Sequence, residues 1–181
     1  MSVDERMVHD IVQKVMANMQ ISGSVSGMHG VFKDMNDAIN ASIEAQKKVC
    51  TMTLDQREQI ISLIRKKTHE NAEILANMGV NETGMGNVGD KILKHHLTAD
   101  KVPGTEDIST IAWSGDRGLT LVEMGPFGVI GAITPATNPS ETVICNCIGM
   151  LAGGNTVVFN PHPNAKKTTI YTCLLYTSPS P

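Results

Sequence analysis

The first 19 residues place apolar side chains with the period of one helical face. Ser2 and Glu5 have the spacing of a capping box at the start of this helix. The apolar positions are Val3, Met7, Val8, Ile11, Val12, Val15, Met16 and Met19. Residues 20–30 are rich in glycine and serine, which predicts a flexible linker. A helix this short is unstable alone in water, so its apolar face needs a partner. That partner is either the body of the chain, a neighbouring subunit, or a different protein reached through the linker.

Helical patterns continue through the first half of the chain. Asp34 or Asn36 is placed to cap a helix that ends near Val49. Residues 53–56 (TLDQ) form a second capping box, which opens a helix whose predicted inward positions are Ile60, Ile61, Leu63 and Ile64.

Three further signals divide the rest of this helical half. Asn71 is placed to restart the second helix, and the two glycines of residues 81–86 (NETGMG) break the pattern. Residues 90–97 again have a helical pattern. Within them His95 and His96 are adjacent, so they point about 100° apart on a helix. We expect both histidines to be exposed to solvent.

The second half has the pattern of strands. Residues 119–123 alternate, and residues 129–134 and 155–160 are apolar runs typical of strands that are buried on both faces. Between these runs, Asn138 and Pro139 begin a helix that Gly153 and Gly154 end. Asn164 is placed to cap the next helix. The order strand, helix, strand, helix predicts an α/β fold built on a right-handed βαβ unit of a parallel sheet.

In such sheets, ligands bind at the carboxyl ends of the strands. Those ends are residues 134–138 and 160–163. Neither segment contains the glycine fingerprint of dinucleotide-binding or triphosphate-binding loops.

Composition narrows the range of functions. The chain has 181 residues, 41% of them hydrophobic and 18% charged, with a net charge of −3. These values exclude disorder and give no support for nucleic-acid binding. No apolar run reaches the roughly 20 residues of a membrane span.

The four cysteines form no C-x-x-C pair and have no histidine at metal spacing, so we expect no metal site. Cys145 and Cys147 would project to opposite sides of one helix, which favours structural cysteines over a metal or redox pair.

Two segments carry a resemblance to a known family. They are residues 125–139 (GPFGVIGAITPATNP) and residues 153–163 (GGNTVVFNPHP). Both resemble the aldehyde dehydrogenase superfamily, and most closely its coenzyme A-acylating branch from ethanolamine- and propanediol-utilisation pathways. Residues 81–86 fit the same branch. The resemblance runs from about residue 30 to about residue 167. It implies the first part of the Rossmann-like sheet of that fold, here truncated, after an N-terminal helical segment.

The resemblance implies an oxidoreductase that converts a short aldehyde, acetaldehyde or propionaldehyde, with NAD and coenzyme A to acyl-CoA and NADH. Asn138 matches the family's asparagine, whose amide donates to the oxygen that becomes negative during the reaction. Residues Thr134, Pro135, Ala136 and Thr137 would lie along the nicotinamide cofactor. Asn160, His162 and Pro163 would flank its adenosine end, which coenzyme A would share. From the residues alone, the favoured interpretation of Asn138 is a helix-cap residue that bonds its own backbone, and His162 is equally explained as a turn residue without a ligand.

The resemblance also divides the chain. Residues 1–19 resemble encapsulation peptides, which implies docking on the shell or scaffold of a bacterial microcompartment in the cytoplasm. Residues 31–172 match the N-terminal part of the cofactor-binding domain, and the full-length parent is expected to be a homo-oligomer. Residues 173–181 resemble translated vector sequence, and we expect them to stop the last helix. The nucleophilic cysteine of the family lies in a downstream domain, so we expect this fragment to be inactive alone. The alternative is a non-catalytic helical adaptor that docks on a shell.

Overall fold

A computed structural model describes residues 30–177 of the chain. The predicted helix of residues 1–19, the linker before Gly30 and the last four residues lie outside the described part. Within residues 30–177, no helix combines the length and hydrophobicity that a bilayer crossing requires.

Three helices form the first half. They are α1 (Met35–Val49), α2 (Leu54–Thr83) and α3 (Val88–Lys101). Asp34 rather than Asn36 caps α1, because its carboxylate accepts the Asn36 N–H at 2.8 Å. The predicted capping box of α2 is confirmed, since both reciprocal hydrogen bonds between Thr53 and Gln56 are present.

Two details of α2 differ from the sequence prediction. The helix runs without interruption through Asn71, whose side-chain amide donates to the carbonyl of Lys67 at 2.8 Å. An asparagine that bonds to the preceding turn does not have to end a helix. Leu63 is 56% exposed, although Ile61 and Ile64 are buried as predicted. The helix ends at Gly84, whose φ of 68° gives the left-handed cap that glycine adopts readily.

A short hairpin follows the helices. After a 3₁₀ turn (Thr105–Asp107), strands β1 (Ile111–Gly115) and β2 (Gly118–Val122) pair antiparallel. The predicted strand of residues 119–123 is therefore confirmed as β2, while β1 was not predicted. Both strands are exposed along their whole length.

The parallel unit is the part of the fold that forms the candidate site. Strands β3 (Val129–Ile133) and β4 (Thr156–Asn160) pair in parallel, with α4 (Pro139–Ala152) between them in the chain. A 3₁₀ turn (Pro163–Ala165) and α5 (Lys166–Thr177) follow. The predicted α/β order is confirmed. The predicted stop at Cys173 is wrong, because α5 continues to Thr177.

The start of α5 is held by a residue from the helical half. The carboxylate of Glu82 accepts the backbone N–H groups of Lys167 and Thr168, both at 2.7 Å, and also the Thr168 hydroxyl. A carboxylate at this position satisfies N–H groups that have no partner within the helix. The predicted cap, Asn164, instead donates its N–H to the His162 ring.

The hydrophobic core joins α2 to α4. Its buried members are Ile61, Ile64, Leu75, Ile144, Ile148 and Ala152. The sheet is less covered than its apolar sequence predicted, since Ile133 is 84% exposed and Phe127 is 96% exposed. Two strands with α1 and α4 against them leave part of the apolar sheet in solvent within residues 30–177.

Candidate functional site

The carboxyl ends of β3 and β4 meet at one edge of the sheet. Ile133 and Asn160 are register partners, and the N–H of Thr134 donates to the Asn160 carbonyl at 3.1 Å. The parallel pairing therefore brings residues 134–138 and 160–163 together, as the sequence predicted for the two strand ends.

The predicted site residues differ in their exposure. Pro135, Thr137, Asn160, His162 and Pro163 are exposed, whereas Thr134 is 1% and Ala136 is 8% exposed. The Thr134 hydroxyl has no hydrogen-bond partner within the described residues. His162 accepts the Asn164 N–H at Nδ1, at 3.1 Å, and so stabilises the turn that begins at Pro163. Its Nε2 is not used in this contact.

Asn138 occupies the N-cap position of α4 but does not cap the helix with its side chain. Its backbone carbonyl accepts the Thr142 N–H at 3.0 Å, while the side-chain oxygen instead faces the ammonium of Lys94 at 3.4 Å. Asparagine is favoured at N-caps because its oxygen normally accepts a backbone N–H of the first turn. Here that oxygen is turned toward α3, and the amide nitrogen has no partner among residues 30–177.

A buried ion pair lies beneath this loop. The Lys91 ammonium donates to the Thr137 carbonyl at 2.9 Å and lies 3.6 Å from Oε1 of Glu141. The side chains of Lys91 and Glu141 are only 5% and 8% exposed. Buried charges persist in proteins when they are paired and hydrogen-bonded. The hydrogen bond from Lys91 therefore holds the backbone immediately before Asn138, whereas Oε1 of Glu141 has the charge of Lys91 nearby but no hydrogen bond within residues 30–177.

His95 extends this buried cluster, and the expectation that it is exposed was wrong. It is 0% exposed, with Nδ1–H donating to the Lys91 carbonyl at 2.6 Å and Nε2 lying 2.7 Å from the Ser140 hydroxyl. Burial lowers the pKa of His95, partly offset by the negative charge of Glu141. The Lys91 carbonyl can only accept, so Nδ1 of His95 carries a proton, and the Ser140 hydroxyl lies between Nε2 and Oε2 of Glu141, to which it donates at 3.1 Å. His96 is half-buried and contacts His69 instead.

Two clefts border the site. A cavity of about 290 Å³ opens beside the 84–87 turn, and its lining residues are Met85, Gly86, Asn87, Asp90, Lys91, Lys94, Thr137 and Asn138. A second cleft of about 840 Å³ lies between α1, β4 and α5 and reaches Asn160 and Pro163. Asn138 and Lys94 both line the first cleft.

Comparison with known proteins identifies the family. Residues 15–178 match the model of the aldehyde dehydrogenase family. The chain belongs to this family. It is 47% identical over 174 residues to an acetylating acetaldehyde dehydrogenase from Bilophila wadsworthia, covering 91% of this chain and 36% of that protein.

Solved structures agree with this assignment. The chain is 74% identical, with a TM-score of 0.79, to a propionaldehyde dehydrogenase from the fucose-utilisation microcompartment of Clostridium phytofermentans. This match covers 81% of the chain and 34% of that structure. A Rhodopseudomonas palustris propionaldehyde dehydrogenase with bound propionyl-CoA matches at 45% identity and a TM-score of 0.80, over 85% of the chain and 36% of that structure. The chain thus spans about a third of these relatives and forms part of the aldehyde dehydrogenase fold.

Two cysteines of this aldehyde dehydrogenase chain, Cys145 and Cys147, lie on α4. Burial raises the pKa of the Cys145 thiol, and the nearby Glu141 raises it further. Burial also raises the pKa of Cys147, which keeps that thiol protonated at neutral pH. Among residues 30–177, no three histidine, cysteine or acidic side chains are grouped to hold a metal ion.

Sequence reasoning missed the residues that support Asn138. Lys91, His95 and Ala99 recur every four residues and are all buried on one face of α3. That spacing was visible in the sequence, but a lysine and a histidine do not register as inward positions of a hydrophobic pattern. The other available signal was Glu141, a lone acid in a segment with few charges, because a buried acid requires a cation.

Proposed function

We propose that the protein is a coenzyme A-acylating aldehyde dehydrogenase, of which this chain supplies one part of the site. The reaction is aldehyde plus NAD and coenzyme A to acyl-CoA, NADH and a proton, with acetaldehyde or propionaldehyde as substrate. The similarity to acetaldehyde and propanal dehydrogenases supports this class of reaction. The observation that carries the proposal is the amide nitrogen of Asn138, which has no partner among residues 30–177 and lies at the edge where the two parallel strands end.

Asn138 is the catalytic residue of this chain. When a thiolate attacks an aldehyde carbonyl, the carbonyl oxygen gains negative charge. An amide N–H that is already oriented toward that oxygen stabilises the charge without reorganising, which typically contributes about 3 kcal/mol. The side chain of Asn138 fits this role because it is not occupied in capping α4.

The strand-end residues fit a nicotinamide dinucleotide. Thr134 retains a buried hydroxyl with no partner in the described part, and Thr137 and Pro135 are exposed beside it. We assign residues 134–137 to the nicotinamide end and Asn160, His162 and Pro163 to the adenosine end, which coenzyme A shares. When bound, NAD accepts a hydride from the substrate. NAD rather than NADP is an expectation drawn from the family resemblance.

The nucleophile is assigned to the part of the parent enzyme that this chain does not include. The half-buried Cys145 and Cys147 have raised thiol pKa values, which argues against either of them in that role. We therefore expect residues 31–172 to bind and orient, with no turnover of their own. The parent is proposed to be a homo-oligomer.

Residues 1–19 are proposed to direct the enzyme into a bacterial microcompartment in the cytoplasm by docking on its shell or scaffold. The microcompartment origin of a 74% identical structure supports this location. Fusing residues 1–30 to a fluorescent protein tests the proposal directly. Co-sedimentation with shells is expected, and a fusion in which Val8 and Val12 are changed to Asp is the matched control. Equal sedimentation of both fusions would contradict targeting by the apolar face.

The test of the catalytic proposal is Asn138→Ala in the full-length enzyme. We expect kcat to fall about 10²- to 10³-fold, with little change in the KM for NAD, because the lost donor acts mainly in the transition state. Asn40→Ala, the same substitution at an exposed position of α1, is the matched control. A kcat for Asn138→Ala within threefold of that of the control would remove Asn138 from the mechanism.

A further inference from the structure

The geometry around Asn138 identifies a residue that sets its orientation. A lysine ammonium has three donors and no acceptor. The atom of Asn138 that faces Lys94 Nζ is therefore the carbonyl oxygen Oδ1. The amide nitrogen is consequently on the side away from Lys94, and it has no hydrogen-bond partner among residues 30–177. If Oδ1 faced the ligand instead, the side chain would repel a developing negative charge.

Lys94 is held in place by the helix that carries it. Asn87 caps α3, accepting the Asp90 N–H at 2.8 Å. One turn before Lys94, Lys91 binds the Thr137 carbonyl. Two lysines three residues apart thus contact consecutive residues of one loop. Lys91 binds the backbone carbonyl of Thr137, and Lys94 binds the side-chain oxygen of Asn138.

The contact between Lys94 and Asn138 contributes little to stability. Lys94 is exposed, the distance is long at 3.4 Å, and the partner is uncharged. Exposed polar contacts of this kind have small effects on folding. Capping by the same Asn138 oxygen would stabilise α4 by about 1 kcal/mol, so the observed orientation forgoes a structural benefit. The effect of the observed orientation is to keep the amide nitrogen of Asn138 on the side away from Lys94.

We propose that Lys94 is a positioning residue, which binds Oδ1 of Asn138 and so presents the amide N–H groups to the substrate oxygen. This inference rests on the proposed function, because it acts through the catalytic role of Asn138. Without Lys94, the Asn138 side chain is free to turn back and cap α4. The amide N–H groups of Asn138 would then point away from the reacting oxygen in a fraction of the enzyme molecules.

The experiment is a double-mutant cycle in the full-length enzyme. Lys94→Met removes the donor and keeps the length of the side chain, and we expect it to lower kcat about tenfold with an unchanged KM for NAD, since a misoriented group near the reacting atoms costs one to two orders of magnitude. Lys94→Arg retains a donor and is expected to restore kcat to within threefold of the unsubstituted enzyme. Lys101→Met, the same change at an exposed position of α3, controls for general loss of charge from the helix.

The decisive comparison is Lys94→Met in an Asn138→Ala background. A residue that acts through Asn138 has no further effect once that side chain is removed, so kcat of the double variant should equal that of Asn138→Ala. A tenfold loss in both backgrounds would show that Lys94 acts independently and would overturn the inference. So would an unchanged kcat for Lys94→Met alone. If the unsubstituted enzyme forms no acyl-CoA from short aldehydes, the proposed function itself fails, which is a different result.

Discussion

Replacing Lys91 by methionine would test the buried ion pair beneath the candidate site. The substitution leaves the Glu141 carboxylate without its cation, and it leaves the Thr137 carbonyl without its donor at 2.9 Å. The methionine side chain retains most of the aliphatic stem, which passes within 4 Å of the position that a Cβ on Gly79 would occupy. The volume change is therefore small, and the loss of charge dominates.

The expected loss follows from the burial of the pair. With both side chains less than a tenth exposed, removing one partner strands a charge in the interior. Breaking a buried pair in this way costs about 3–5 kcal/mol. The unsatisfied Thr137 carbonyl adds to this cost, although the two contributions overlap because one ammonium serves both groups. We expect a total of about 4 kcal/mol.

Urea titration of the full-length enzyme, followed by circular dichroism, measures the change in the free energy of unfolding. The matched control is Lys66→Met, which removes an exposed helix pair with Glu70 at 3.9 Å and should cost less than about 0.5 kcal/mol. Adding Glu141→Gln to Lys91→Met should recover part of the loss, because no charge is then stranded. A loss below about 1 kcal/mol for Lys91→Met would refute the argument that burial makes this pair structurally essential.

Two further predictions concern the same cluster. Burial lowers the pKa of His95 below its ordinary value of 6.5, so the unfolded chain binds the proton more tightly and stability falls as the pH drops below about 6.5. The free energy of unfolding of His95→Gln should therefore depend less on pH between 7.5 and 5.5 than that of the unsubstituted enzyme. Equal slopes for the two enzymes would show that His95 does not cause the pH dependence. Gly86→Ala should lower Tm more than Gly84→Ala. Both positions have φ near +70°, but only at Gly86 would the added Cβ meet Lys91, at 3.4 Å from Cε. Equal shifts in thermal melts would contradict that distinction.

The sequence predicted the strand-end edge because its signals are local. Pro139 at the first turn of α4, the glycines after it and the two apolar runs each act within a few residues. Parallel pairing then brings the ends together without further information from the sequence. The same locality explains why the capping box of α2 was predicted correctly.

The environment of α3 could not be predicted in this way. His95 is buried beside Ser140, which is 45 residues later in the chain and whose hydroxyl lies 2.7 Å from Nε2 of His95. A single histidine on a helix carries no local sign of such a partner. The strand β1 was missed for a related reason, since both strands of its hairpin are exposed and lack the apolar run that marks a buried strand.

The contacts of α3 give the glycine-rich segment before it a role at the edge of the candidate site. Gly84 ends α2 with a left-handed residue, and Gly86 leaves room beside the Lys91 stem. These two features start α3 where Lys91 and Lys94 reach the Thr137–Asn138 loop, about 45 residues away in sequence. The orientation of the Asn138 amide thus depends on where α3 begins, so the helical half of the chain contributes to the candidate site as the sheet does.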